Sequence, residues 1–155
     1  MKRVPEAMNR YTARQRERGA VLLEFALILP LLVILLLTIV DLGLVIRDHQ
    51  VLQNAAREAA RFSSLKRNEI GPQNSGASVA VISQQAVAYC QAAGIMLQAT
   101  DVTIDQGASI AVGGVMLSAS RVTITHTRNL LIAGAPFLPV GQLQLRGEAV
   151  FRNLY

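Results

Sequence analysis

Residues 14–40 read RQRERGAVLLEFALILPLLVILLLTIV and decide the fold of this 155-residue chain. Three arginines precede an apolar run that a single acid, Glu24, interrupts. From Ala20 to Val40 the run has 21 residues, close to the roughly 20 that a helix needs to cross about 30 Å of hydrocarbon. The free energy that its aliphatic side chains gain on insertion into the membrane exceeds the cost of inserting the single carboxylate. The run therefore predicts a transmembrane helix.

A cleaved secretory signal has the same order of basic, apolar and polar parts. Here the apolar run is longer than the core of a usual signal, carries an acid near its start, and continues into DLGLVIRDHQ without an A-x-A cleavage pattern. We therefore favour a membrane anchor over a removable secretory signal. Pro30 lies inside the run, removes one backbone hydrogen bond, and predicts a kink.

Basic residues are concentrated before the apolar run. Six of the 15 Lys and Arg residues lie within the first 18 positions, whereas the first charges beyond the run, Asp41, Arg47 and Asp48, bring no positive excess. The positive-inside rule predicts a cytoplasmic N-terminus and an extracytoplasmic remainder. This topology accounts for the net charge of +5. We expect no nucleic-acid partner, because no basic stripe is interleaved with aromatic residues.

Helical periodicity continues beyond the membrane segment. Residues 41–68 read DLGLVIRDHQVLQNAAREAARFSSLKRN and place small or apolar side chains on one face and charged ones on the other. The pattern predicts one helix from Ala20 to about Leu65. Its small side chains suit the close approach of a partner helix or of the chain's own domain, and the sequence leaves both open; they are Ala55, Ala56, Ala59 and Ala60.

The remainder predicts a small α+β domain. The loop-forming stretch NEIGPQNSGAS is followed by apolar residues at three- and four-residue steps, from Val79 to Leu97, which indicate a helix of about 20 residues. Period-two segments then predict three to five antiparallel strands, with Gly113-Gly114 as a hairpin turn. The period-two segments are DVTID, ASIAV, VMLSA, RVTIT and QLQLRGEAVF.

One stretch of this domain, LLIAGAPFLPVG at residues 130–141, combines loop-forming Gly and Pro with large apolar side chains. We favour core packing for it, with a partner contact or a membrane-surface contact as the alternative. The predicted organisation is a basic cytoplasmic leader (1–19), a transmembrane helix (20–42), an extracytoplasmic helix extension (43–68), a loop (69–77), and a helix plus antiparallel β domain (78–155).

Residues that carry chemistry are sparse. His49 and His126 are far apart in sequence, and Cys90 is the single cysteine, which excludes an intramolecular disulfide. We favour a buried apolar role for Cys90 over an intermolecular bridge. Asp101 and Asp105 look like ordinary strand-surface residues rather than metal ligands. We therefore predict no enzyme activity, no metal site and no cofactor.

The junction between the basic arm and the apolar run resembles the processing site of type IV prepilin-like proteins. RERG ends in Gly19, and AVLLEF begins at Ala20 with Glu24 as its fifth residue and Phe25 next. The longer run RGAVLLEFALILPLLVILLLTIVDLG, continued by VLQNAAREAAR, is similar to the TadE-like pseudopilins of tight-adherence (Flp, type IVb) pilus systems. The resemblance extends over roughly residues 14–65.

The resemblance implies a minor pseudopilin that a prepilin peptidase cuts between Gly19 and Ala20. It further implies that Glu24 pairs with the N-terminal ammonium of a neighbouring subunit. The other implied partners are pilin or pseudopilin subunits, an inner-membrane pilus assembly platform and membrane lipid, and the implied location is the bacterial inner membrane.

Three alternatives remain open from the sequence. Glu24 could extend to the lipid headgroups near a helix start, where an acid also suits the helix dipole. The chain could keep its arm and serve as a single-pass anchored scaffold of a secretion or adhesion apparatus. An extracytoplasmic module that binds a small ligand is the third alternative, and no group of residues supports it.

Overall fold

The computed structural model describes residues 6–65, 76–132 and 141–153, with side chains described for residues 21–64, 79–132 and 141–153. The chain divides into two compact units, Met1–Val40 and Asp41–Tyr155. The predicted α+β class is confirmed, with a long apolar helix, a second helix and a three-stranded antiparallel sheet. The elements are α1 (Glu6–Leu65), α2 (Gly76–Ala92), a 3-10 turn (Ala99–Asp101), β1 (Val102–Val112), β2 (Val115–Asn129) and β3 (Gln142–Arg152).

Helix α1 contains 60 residues and continues through Pro30 as one element. The prediction placed its start at Ala20, whereas the helix begins at Glu6. The difference has a local cause, because residues 6–18 are rich in Ala, Arg, Gln, Glu and Met, which favour helix. The helix is described as far as Leu65, and residues 66–75 of the predicted helix extension and loop lie outside the described residues, so its predicted end stays a prediction.

Helix α2 is shorter than the sequence predicts. It begins at Gly76, within the predicted loop, and ends at Ala92. Gly94 has φ of 84° and its N–H donates to the Gln91 carbonyl (2.9 Å), while the Ile95 N–H donates to the Cys90 carbonyl (2.9 Å). These two bonds form a Schellman motif, which ends a helix at a left-handed glycine. Leu97, assigned by its spacing to the helical face, is buried beyond the helix instead.

The sheet has the order β1-β2-β3, with both pairs antiparallel. The five period-two segments correspond to three strands. DVTID, apart from Asp101, and ASIAV lie in β1, VMLSA and RVTIT lie in β2, and QLQLRGEAVF lies in β3. The predicted turn is confirmed, since Val112 pairs with Val115 and the two glycines between them have φ of 58° and 82°. Positive φ at both central positions is the type I′ geometry that suits a two-residue hairpin.

A β-bulge interrupts β1. Asp105 pairs with Arg121 and Ala108 pairs with Ala119, so two residues of β1 oppose one of β2. The Asp105 carboxylate accepts a hydrogen bond from the Gly107 N–H (3.0 Å) at this point. The bulge bends an edge strand, as bulges do at sheet borders.

The core of the second unit lies between the sheet and the helices. Leu52, Ile82 and Ile124 are fully buried there, and the four alanines at 55, 56, 59 and 60 are at most 1% exposed. These alanines therefore contact the chain's own domain, which is one of the two alternatives left open by the sequence. A glycine also allows strand β3 to approach the α1 backbone closely. At Gly147 an added Cβ would lie 2.6 Å from the Leu52 carbonyl carbon.

A buried polar cluster lies at the far end of this contact. The Ser63 hydroxyl of α1 accepts hydrogen bonds from the Gln106 amide (3.2 Å) and from the Ser120 hydroxyl (2.6 Å). All three side chains are buried. Because buried polar groups are costly when unpaired, these bonds fix the register of α1 on strands β1 and β2.

Candidate functional site

The surface of α1 between Val21 and Val40 is the most unusual surface of the described chain. Large aliphatic side chains remain exposed along it, including Leu27 at 73% and Leu31 at 68%. Among the residues described, the helical segment Val21–Ser64 is long and apolar enough to cross a membrane. An apolar surface this extensive on all sides of a helix marks a membrane span or a partner interface. A membrane-anchored chain is the direct interpretation.

Glu24 and Phe25 lie near the start of this surface, and both side chains are exposed. Within the described residues, no hydrogen bond or ion pair engages the Glu24 carboxylate. Gly19 and Ala20 lie in the same helix, five and four residues before Glu24, although side chains up to Ala20 are outside the described part. In a helix, residues 20 and 24 are one turn apart on one face. The roles predicted for these four residues stay predictions.

Within the second unit, the first contact of α1 with the domain is made by Asp41. The Asp41 side chain is buried, and its carboxylate oxygens accept hydrogen bonds from the backbone N–H groups of Leu131 (3.0 Å) and Ile132 (3.1 Å). The donors directly follow strand β2. Bonds from N–H groups to an ionised carboxylate are among the stronger ones in proteins. Asp41 therefore fastens the start of the β2–β3 connection to the helix.

A second acid, Asp48, forms a salt bridge with Arg128 of strand β2. The Asp48 side chain is 3% exposed and that of Arg128 is 21% exposed. The sequence pattern placed Asp48 with the other charged residues on the polar face of the helix, but its side chain is buried against a partner that lies 80 positions later. Arg47 is a third contact residue of this part of α1, and its guanidinium donates to the Ala93 carbonyl after α2 (2.7 Å).

Sequence reasoning missed Asp41, Asp48 and Arg128 as contact residues. The available signal was weak: two acids seven residues apart on one side of a helix that is otherwise apolar or small there.

A shallow groove of about 370 Å³ lies between α1, α2 and β3. Its lining mixes aromatic and charged side chains: Asn54, Arg57, Glu58, Arg61, Tyr89 and Phe151.

Cys90 lies in the core and is fully buried. Burial raises the pKa of its thiol from 9.0 to about 11, because the thiolate is poorly solvated there. The buried apolar role is thus confirmed, and an intermolecular bridge would require the core to open. Among the described residues, no group of three His, Cys, Asp or Glu side chains is placed to hold a metal ion.

The part of helix α1 that carries the exposed apolar surface and the Asp41 and Asp48 contacts also resembles a known protein family in sequence. Residues 19–61 match the family model for TadE-like protein. The resemblance predicted from the junction and the apolar run is confirmed over this segment. The match extends from Gly19 through the exposed apolar surface and the Asp41 and Asp48 contacts to Arg61. No curated protein and no solved structure matches the chain.

Proposed function

We propose that this chain is a minor pseudopilin-like component of tight-adherence (Flp, type IVb) pilus biogenesis. The observation that carries the proposal is the TadE-like match at residues 19–61, which includes the Gly19–Ala20 junction, Glu24 and the exposed apolar helix. Such a protein acts through helix packing and a displayed domain rather than through catalysis. Its partners are a prepilin peptidase, other pilin or pseudopilin subunits, the assembly platform and membrane lipid.

Processing between Gly19 and Ala20 has a physical rationale. The junction lies inside α1, so a peptidase must unwind the helix locally before the backbone can enter its site. Glycine lowers that cost, because it destabilises a helix interior by roughly 0.5–1 kcal/mol relative to alanine. It also has no side chain to obstruct a narrow site. Cleavage removes the six basic residues of the arm and creates a new ammonium at Ala20.

Glu24 then acquires a role in assembly. An unpaired carboxylate near the start of a membrane helix is unfavourable. A neighbouring subunit's Ala20 ammonium would offset the cost for both charges. Such a pair forms only at one relative height of two helices. Glu24 would therefore set the axial register as subunits come together, and Phe25 would pack beside it.

Orientation follows from charge. The basic arm stays on the cytoplasmic side of the bacterial inner membrane, and the unit that begins at Asp41 is extracytoplasmic. Reporter fusions test this directly. Alkaline phosphatase fused after Tyr155 should be active in the periplasm, and activity of a cytoplasm-dependent reporter at that position would contradict the orientation.

Processing is tested by the intact mass and N-terminal sequence of the membrane-extracted protein, made with and without its prepilin peptidase. A peptidase-dependent start at Ala20 supports the pseudopilin. Gly19→Leu should retain the arm, whereas the matched leader variant Ala13→Leu should be cut normally. An intact arm in the wild type with active peptidase would contradict processing.

Register pairing is tested by Glu24→Gln, which keeps size and removes charge. We expect normal protein level and processing but loss of piliation. Leu27→Gln places the same amide at another exposed position of the same run and controls for added polarity. Equal piliation by both variants and the wild type would remove Glu24 from the mechanism.

One observation favours a second candidate, the unprocessed single-pass scaffold. Helix α1 is uninterrupted from Glu6 across the junction, which suits a chain that keeps its arm. The mass measurement separates the two, because a scaffold retains the arm in both samples.

A further inference from the structure

The exposed face of α1 stays apolar past Asp41. Leu42 and Ile46 lie one turn apart and are 58% and 50% exposed. The first polar side chains exposed beyond them are those of Arg47 and His49. Ile46 lies five residues after Asp41, or about 8 Å along the helix at 1.5 Å per residue. On this face the apolar surface therefore ends beyond the level of Asp41.

Asp41 holds a short part of the domain at that same level. Its carboxylate accepts the N–H groups of Leu131 and Ile132. The Leu130 N–H donates to the Gly141 carbonyl (3.2 Å) and closes the base of the β2–β3 connection. Four backbone groups are thus fixed beside the helix. We refer to Leu130–Ile132 as the clamped segment.

The clamped segment presents apolar surface. Leu131 is 58% exposed, and Leu130 and Ile132 are half-buried. The nearest ionisable side chains along the chain are Arg128 before the segment and Arg146 after it. Arg128 is engaged with Asp48, so its charge is already neutralised within the domain. The Asp41 carboxylate beside the segment is itself buried and bonded to its N–H groups. An exposed leucine between such groups suits the boundary between headgroups and acyl chains.

We propose that the clamped segment is a second membrane contact of this chain, and that it docks on the lipid surface beside the point where α1 leaves the bilayer. The inference rests on the proposed membrane span of α1. The occupant is lipid because the apolar face of the helix extends to Ile46 and the headgroup region is several ångströms thick. The level of Asp41 then falls within that region.

The contact changes what the domain can do. A single helix leaves a domain free to tilt over the membrane, whereas two contacts joined by the Asp41 carboxylate remove that freedom. A domain held against the bilayer presents the same surfaces at the same height in every copy. The hairpin at the other end is then directed at partners reproducibly.

Depth-dependent fluorescence quenching tests the contact in the full chain. Leu131→Cys, in a Cys90→Ala background, would carry an environment-sensitive dye in vesicles of phosphatidylethanolamine and phosphatidylglycerol. We expect a blue shift and quenching by lipids with a nitroxide near the headgroup. Vesicles of phosphatidylcholine alone should give the same result, because the contact is apolar rather than ionic.

Two matched positions make the outcome decisive. The first is Met116→Cys, because Met116 is 66% exposed and lies on the hairpin, four residues before Ser120. Ser120 bonds Ser63, which lies about 33 Å along α1 from Asp41 at 1.5 Å per residue. A label at residue 116 should remain in water. Leu31→Cys, inside the apolar run, should be quenched by lipids with a nitroxide deep in the acyl chains.

A water-exposed label at residue 131 together with a lipid-exposed label at residue 31 would overturn the contact and leave the membrane span intact. Water exposure at both would overturn the span as well. Shielding at residue 131 that grows with the protein-to-lipid ratio would identify a second copy as the occupant instead. Asp41→Ala should release the segment and weaken quenching at residue 131 alone.

Discussion

Residues 21–40 and 41–64 belong to one helix and use it in opposite ways. The first part carries large aliphatic side chains that stay exposed, whereas the second carries Ala, Ser and two acids that are buried against the sheet and α2. Large side chains suit a lipid solvent, which adapts to any shape. Small ones suit a protein neighbour, because they let backbones approach closely. Side-chain size therefore indicates which neighbour each part of the helix has.

The sharpest test applies one substitution to both parts. Leu52→Ala removes a fully buried side chain and should lower the free energy of unfolding by about 4 kcal/mol. Leu32→Ala, at an exposed position, should change it by less than about 0.5 kcal/mol. Denaturant unfolding of the full chain in detergent measures both. A large effect of Leu32→Ala would mean that the apolar part packs on protein in the monomer.

Close approach is tested next, with one glycine in each environment. Gly147→Ala forces a Cβ to within 2.6 Å of the Leu52 backbone, and overpacking of this kind should cost about 3 kcal/mol. Gly43→Ala meets nothing within 4 Å and should stabilise α1 by roughly 0.5–1 kcal/mol. Thermal unfolding midpoints should thus move in opposite directions. Movement in the same direction would contradict the tight α1–β3 contact.

The Asp48–Arg128 pair is expected to have a somewhat smaller effect. Asp48→Ala leaves the arginine unpaired and should cost about 2–3 kcal/mol, less than a fully buried pair because the Arg128 side chain is 21% exposed. The double variant with Arg128→Ala should be less destabilised than the sum of the two single variants. Strict additivity in this double-mutant cycle would mean that the two charges do not interact.

The smallest expected effect on the free energy of unfolding comes from ionisation of the Cys90 thiol, and it is measurable only at high pH. The unfolded thiol ionises near pH 9, whereas the buried thiol ionises near pH 11, so the folded state retains a proton that the unfolded state has lost. Stability from this group is complete below pH 9 and falls as the pH rises, by about 2 kcal/mol between pH 9 and pH 11. Comparison with Cys90→Ala isolates it. Parallel pH profiles for the two proteins would contradict the burial.

Local patterns were sufficient to predict much of this fold. The period change from helix to strand, the Gly-Gly turn and the core face of α1 were all visible along the chain, because each depends on neighbouring residues. The Asp41 and Asp48 contacts were not, since their partners lie 80 to 91 positions away. The end of α2 was missed for a different reason. Apolar residues continue at helical spacing as far as Leu97, but the left-handed conformation of Gly94 ends the helix before them.

The candidate site divides in the same way. The junction and the apolar run were recognisable from residue types, and the family match supports that resemblance. The roles of Gly19, Ala20, Glu24 and Phe25 depend on a peptidase and on neighbouring subunits. A single folded chain contains neither, so these roles await the processing and piliation experiments.

The bulge in β1 bears on how a chain of this kind avoids self-association. Strand β1 is at the edge of the sheet, where a regular row of free N–H and C=O groups would recruit another strand. The extra residue between Asp105 and Ala108 breaks that row, and the Asp105 carboxylate occupies the Gly107 N–H. Fibres that grow by strand addition are therefore disfavoured at this edge. Assembly through the helices, as proposed above, would then not compete with strand addition at this edge.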